Sequence, residues 1–299
     1  MTKQIAIVGA ERLVGESVMR ACVKAGYNVR VYVPLDASVD TAAKIVRGEP
    51  TDYARLCAFF AGADMAFVHA DFWRHYDERA MSKQDDEPTK RALTSEDAAL
   101  LQLRDAKLAV DACAAANVGH LYICGAESPL YVRGVNVLVP QLEYRSLLEV
   151  YTECRVGRLT SLRLGFVLES LLEEAEHSLE HRFPVPLDFV EDYFHLPVIS
   201  AASIGTRVLT HWRRLRKQKL TSGERMHYPL VELMVNLDDL LESLESRGVQ
   251  AQPLALNKLR EMGPLCEMLA FYYEHGDEYA IESHFGDHLL TKCAISDLI

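Results

Sequence analysis

Apolar residues in the first half of the chain follow two alternating rhythms. Short apolar runs at Ile5–Val8, Val29–Val33, Ala43–Val46, Met65–His69 and Leu121–Cys124 predict strands. Between and after them, Val14–Ala25, Tyr53–Phe60, Glu96–Ala116 and Leu142–Glu153 repeat apolar positions at the helical period and predict helices. Gly26 closes the first of these, as a C-terminal glycine should. A further strand follows at Leu159–Leu164. Short strands joined by helices imply a parallel sheet covered on both faces.

From about residue 166 the alternation loosens. Phe183–Val190 is rich in proline and aromatics. Val231–Arg247 reads as one strong amphipathic helix, with Leu237, Leu240, Leu241 and Leu244 on one face, and Leu259–Glu274 as another. These pieces imply a smaller α/β lobe over the carboxyl edge of the sheet. The expected fold is therefore α/β, a Rossmann-like doubly wound parallel sheet over residues 1–165 with a C-terminal lobe over 166–299. Residues 74–95, RHYDERAMSKQDDEPTKRALTS, break the pattern with charge and Pro88 and read as a surface insertion, either a plain loop or a partner-binding one.

Composition adds limits. The chain has 299 residues, 49% hydrophobic and 25% charged, which is ordinary for a globular protein. A net charge of -11 disfavours a nucleic-acid or anionic-membrane surface. The local exception is HWRRLRKQK, with Arg213, Arg214, Arg216, Lys217 and Lys219. It suits a solvated helix C-terminus; the alternative is a docking patch for an acidic partner. Seven cysteines without metal spacing point to reduced thiols. Met1–Lys3 leads directly into the first strand, and no apolar stretch approaches membrane-spanning length, so a cytoplasmic protein is expected.

The first turn carries the most chemical information. QIAIVGAERLVG, residues 4–15, places Gly9 at the end of a strand and Gly15 inside a starting helix, as in a dinucleotide phosphate loop. The middle glycine of such a loop is Arg12, preceded by Glu11. A long side chain there is expected to fill the space of close pyrophosphate approach, with Glu11 adding charge of the wrong sign.

The order of QIAIVGAERLVG, GADMAFVHADFW, HLYICGAES, LEVYTECRVGRLTSLRLGFVLESLL, ISAASIG and GPLCEMLAFYYEHG resembles the NmrA-like proteins, a branch of the atypical short-chain dehydrogenase/reductases, and most of all their redox-sensor subgroup. The resemblance implies an NAD(P)-binding fold and regulation through protein partners. Carried over residue by residue, it implies a coenzyme site at Gly9, Arg12, Gly15, Pro34, Cys124 and Arg145, each of the last three replacing a different family residue. Pro34 stands where an arginine would hold a 2′-phosphate, and Asp36 and Asp40 follow it. Cys124 replaces a serine, and Arg145 a lysine near the nicotinamide ribose. The cofactor expectation is thus no bound nucleotide or weakly held NAD(P).

Reductase chemistry needs a tyrosine with a lysine four residues later. No lysine occurs from Leu108 to Arg216. Tyr151 with Arg155 is the nearest substitute, and Tyr151 is expected instead on a helix packed against the sheet. His275, His284 and His288 cluster with acids but fit no metal spacing. No catalytic residue and no metal site are expected. Two readings remain: a non-catalytic scaffold, regulator or structural subunit acting through a protein partner, without nucleic acid or membrane; or an NAD(P)H-binding redox sensor or weak reductase.

Overall fold

The computed structural model describes residues 2–70, 72–81, 94–132, 137–177, 182–186, 196–218 and 225–282. Most of the expected insertion (82–93), Lys219, Cys293 and the tail residues His284, Asp287 and His288 lie outside them. In order, the chain forms β1 (Gln4–Val8), α1 (Leu13–Lys24), β2 (Asn28–Val33), β3 (Lys44–Arg47), α2 (Tyr53–Phe60), β4 (Met65–Val68) and α3 (Phe72–Met81). Next come α4 (Ser95–Ala115), β5 (Leu121–Gly125), α5 (Pro140–Glu153), β6 (Leu159–Leu164), β7 (Phe166–Val167), α6 (Leu168–His177), β8 (Arg182–Pro186) and β9 (Leu196–Ile199). The remainder is α7 (Ala201–Lys217), β10 (Arg225–Leu230), β11 (Leu233–Val235), α8 (Leu237–Glu245), β12 (Gln250–Leu254), α9 (Leu256–Glu261) and α10 (Pro264–Glu282).

A seven-stranded sheet runs β10-β6-β5-β4-β1-β2-β3. Strand β1 pairs in parallel with β2 and β4, and the parallel pairing continues to β3 on one side and β5 on the other. This is the doubly wound topology expected from the sequence. The chain divides into two compact units, each assembled from separated stretches. One unit comprises 1–126, 144–162 and 202–228; the other comprises 127–143, 163–201 and 229–299.

In the first unit, Leu56, Phe59 and Phe60 of α2 and Ala106, Ala109 and Val110 of α4 bury against Ala6, Ala66, Leu121 and Ile123 of the sheet. Each large apolar side chain fully buried here is worth about 1.5–3 kcal/mol. The termini match the chemistry of their residues. Asp52 accepts from Arg55 N at 3.0 Å and starts α2. Thr94 and Asp97 form a reciprocal capping box at the head of α4. Strand alternation sends Tyr122 to the face opposite Leu121 and Ile123. There its Oη lies 3.0 Å from His211 Nδ1 of α7. Helix α7 also meets α1, where the Gly205 N–H donates to Ser17 Oγ at 2.9 Å.

In the second unit, β11, β9 and β7 form a three-stranded sheet, and β12 pairs in parallel with β8. Arg163 is almost wholly buried, with Nη1 2.7 Å from Glu127 Oε2.

Three sequence expectations are corrected. Residues 74–81 belong to α3 rather than to a loop, because Phe72, Trp73 and Tyr76 anchor the helix against Ala98 and Ala99 of α4. Val231–Arg247 is not one helix: Leu233–Val235 is a strand of β9's sheet, and Asn236 caps α8 by accepting from Asp239 N at 2.8 Å. Leu259–Glu274 is divided at Gly263, whose φ of 130° ends α9 before Pro264 opens α10. Helix α6 lies outside the sequence reading; of α7 the basic C-terminal end was expected, and Arg214, Arg216 and Lys217 occupy its last turn. No helix among the described residues is long and apolar enough to cross a membrane.

Candidate functional site

In the sheet, the chain leaves β1 toward β2 and leaves β4 toward β5 on the other side. The carboxyl ends of β1 and β4 therefore flank the switch point where ligands bind in open α/β sheets. Gly9 follows β1 with φ 90°, and a Cβ there would come within 2.2 Å of His69 O. A Cβ on Gly15 would come within 2.0 Å of Gly9 O. Strand, turn and helix can close this tightly only with glycine at both positions.

The two charged side chains of this turn differ in exposure. Arg12 is the N-cap of α1 in an extended conformation, φ -124° and ψ 154°, and its side chain is exposed. Glu11, one residue earlier, lines the cavity at the switch point instead. Glu11 thus brings its carboxylate to the cavity, while the Arg12 side chain is exposed.

The cavity is small, about 40 Å³ measured as space for the centre of a water molecule. Val8, Tyr32, Pro34 and His69 wall it, and Glu11, Arg74, His75 and Asp105 bring charge and polarity to it. His75 Nε2 lies 3.1 Å from Asp105 Oδ2, and Asp105 Oδ1 lies 2.8 Å from Arg104 Nη2. Arg74 Nη2 is 3.4 Å from Asp36 Oδ1, so the acid after β2 is paired within the chain.

A second, smaller cavity shares Val68, His69 and Ala70 with the first and is lined also by Gln102, Cys124, Tyr144 and Arg145. Cys124 and Arg145, far apart in sequence, are thus brought together. Burial pushes the Cys124 thiol up to about 12, and the Arg145 guanidinium opposes that rise. Gln102 Nε2 donates to Ala70 O at 2.8 Å, while its Oε1 and Arg145 Nε are buried without a hydrogen-bond partner.

Tyr151 does not belong to this site. Its hydroxyl donates to Asp111 of α4 at 2.7 Å, and Lys107 Nζ lies 4.5 Å from its ring centre. Burial, with Asp111 next, raises its phenol, the opposite of what a proton-relaying tyrosine requires. Ser128 donates to Glu143 and accepts from Leu130 N at 3.2 Å, a turn-building role.

The sequence reading missed His69, Arg74, His75, Gln102 and Asp105. A signal was available in the HADFWRHY stretch, whose aromatic pattern continues the chain as helix directly from the switch point.

No family model matches the chain, and no curated protein matches it by sequence. Solved structures do match by fold. NmrA, a negative transcriptional regulator, aligns with a TM-score of 0.67 at 16% identity, covering 97% of this chain and 89% of its own. Triphenylmethane reductase from Citrobacter sp., in complex with NADP(H), aligns at 0.60 and 15% identity, covering 99% and 95%. A nucleoside-diphosphate-sugar epimerase from Staphylococcus aureus aligns at 0.62 and 15% identity, covering 95% and 96%. With the switch point and glycine loop described above, these alignments over nearly the whole chain place this protein in the Rossmann-like fold that NmrA, the reductase and the epimerase share.

Proposed function

We propose that this chain is an NmrA-like protein whose coenzyme crease is closed by its own side chains, and that it works without catalysis, through contacts with a protein partner or within a larger assembly. The observation that carries this reading is the content of the switch point. Glu11, Arg74 and the His75–Asp105 pair line the cavity at the carboxyl ends of β1 and β4 and leave only about 40 Å³. Binding sites for small molecules and cofactors are commonly several hundred Å³. The engagement of Tyr151 by Asp111, and the lack of lysine from Leu108 to Arg216, support the same reading.

A second reading, a sensor that binds NAD(P)H weakly, is favoured by one observation: Gly9 and Gly15 keep the tight strand–turn–helix that presents backbone N–H groups to phosphate. Calorimetric titration with NADPH and with NADH separates the two. A dissociation constant weaker than about 100 μM, or under roughly 5.5 kcal/mol of binding, is expected for both. A sub-micromolar constant for either nucleotide overturns the closed-crease reading.

A further inference from the structure

Helix α5 carries Glu149 and Glu153 four residues apart, which sets them on one helix face. The imidazole of His227, from β10, meets both. His227 Nε2 lies 3.0 Å from Glu149 Oε1 and 3.7 Å from Glu153 Oε1. One ligand atom from each residue falls within 4.8 Å of the other two. The Ser161 hydroxyl of β6 donates to the other oxygen of Glu149. At the end of β5, a Cβ on Gly125 would stand 2.0 Å from Ser161 Oγ and 2.5 Å from Glu149 Oε2. Strand β5 thus leaves the room this cluster needs.

We propose that Glu149, Glu153 and His227 form a binding site for a divalent transition metal of the zinc class, with a solvent molecule as fourth ligand. The argument is geometric and chemical. Zinc binds imidazole nitrogen and carboxylate oxygen at about 2.0–2.2 Å, so neighbouring ligand atoms of a tetrahedron stand roughly 3.3–3.6 Å apart. The two His227 separations, 3.0 and 3.7 Å, bracket that spacing, and the two carboxylates offer oxygens within 4.8 Å of each other. One nitrogen with two carboxylates selects zinc, cobalt or nickel over calcium and magnesium, which take oxygen sets. The bond from Ser161 to the non-ligating oxygen of Glu149 is the outer-shell support that fixes a ligating carboxylate. Glu149 is buried, whereas the side chains of Glu153 and His227 are 28% and 35% exposed, so a metal has a path from solvent. Arg225 Nη1, 3.8 Å from Glu153 Oε2, offsets only part of the negative charge. A metal here fastens α5 to the sheet through β10.

The test uses the full chain, stripped with chelator and dialysed, then titrated with Zn²⁺ and with Co²⁺ against a competing chelating dye. The expected result is one metal per chain, the strong visible bands of tetrahedral cobalt, and a higher melting temperature with zinc. His227→Gln and Glu153→Gln, both at partly exposed positions, are expected to abolish uptake while keeping the circular dichroism of the apo protein. Ser161→Ala is expected to weaken it about 10–100-fold. A triple His275→Ala, His284→Ala, His288→Ala variant is expected to bind as before. Lack of stoichiometric uptake overturns the proposal, as does uptake that survives His227→Gln or is lost in the triple variant; the cluster is then only an ion-pair network.

Discussion

His120 and His211 give this protein a specific sensitivity to acid. Both rings are buried: His120 Nε2 is 2.9 Å from Thr160 Oγ1, and His211 stacks on Tyr228 with centroids 4.2 Å apart. Burial lowers His120 from an ordinary 6.5 to about 4, with His211 and Arg158 adding to the effect. Burial, then Arg214, lowers His211 to about 4 as well. Above pH 6.5 both rings are neutral in the folded and unfolded chains, and nothing is lost. As pH falls from 6.5 toward 4, only the unfolded chain takes up these protons. Stability then declines by up to about 1.4 kcal/mol per pH unit for each ring. At pH 5 the loss is about 2 kcal/mol per ring. His211→Gln removes one titrating ring and keeps a group able to hydrogen-bond Tyr122. This variant is less stable than the wild type at pH 7.5, because the stacked ring is gone. The gap is expected to shrink by about 2 kcal/mol between pH 7.5 and pH 5. Urea unfolding followed by tryptophan fluorescence measures it, since Trp212 is one of only two tryptophans and is buried. Stability curves that stay parallel across that range would refute the reasoning.

Thiol reactivity is expected to follow exposure. In iodoacetamide labelling of the native protein at pH 8, followed by mass spectrometry, Cys154 reacts first among the described cysteines and Cys124 only on unfolding, because Cys154 is exposed and the Cys124 thiol is buried and shifted to about 12. Tyr151→Phe is expected to cost about 1 kcal/mol of stability by removing the bond to Asp111, and to leave any NADPH-dependent turnover unchanged; a stability titration and an activity assay on the same preparation check both. Glu127→Ala is expected to cost roughly 3 kcal/mol, since it strips a carboxylate from the nearly buried Arg163, and a thermal melt beside Glu127→Gln measures the loss.

The sheet was legible because its signals are local. Helix α2 begins and ends where the sequence places it, Tyr53–Phe60, and β6 likewise at Leu159–Leu164. The errors came where two periods overlap. Val231, Leu233 and Val235 satisfy a strand's alternation, yet they run without interruption into the leucines of α8, and only the Asn236 cap marks the change. Gly263-Pro264 was a visible breaker that the apolar continuity of the two flanking helices concealed. At the candidate site, Gly9 and Gly15 were readable because close backbone approach demands glycine. That Glu11 would line a cavity with Arg74, His75 and Asp105 was not, since those residues come from α3 and α4. His69 and Gln102 gained their places only from how β4 and α4 come together, which no local pattern records.

The first unit draws on residues 202–228 as well as on the first half of the chain. During synthesis, a sheet whose strands through β6 have already emerged still lacks β10 at its edge and α7 beside α1. Tyr122 has no His211 to meet until that later stretch arrives. From Leu162 to Tyr228 the ribosome adds 66 residues, which at about 5–20 residues per second takes roughly 3–13 s. For that interval one strand edge and one apolar face stand open to other chains. A fragment ending at residue 165 would keep that state permanently and is expected to aggregate. Yield of soluble protein in the cell should accordingly depend on whatever shields the nascent chain until Tyr228 has emerged.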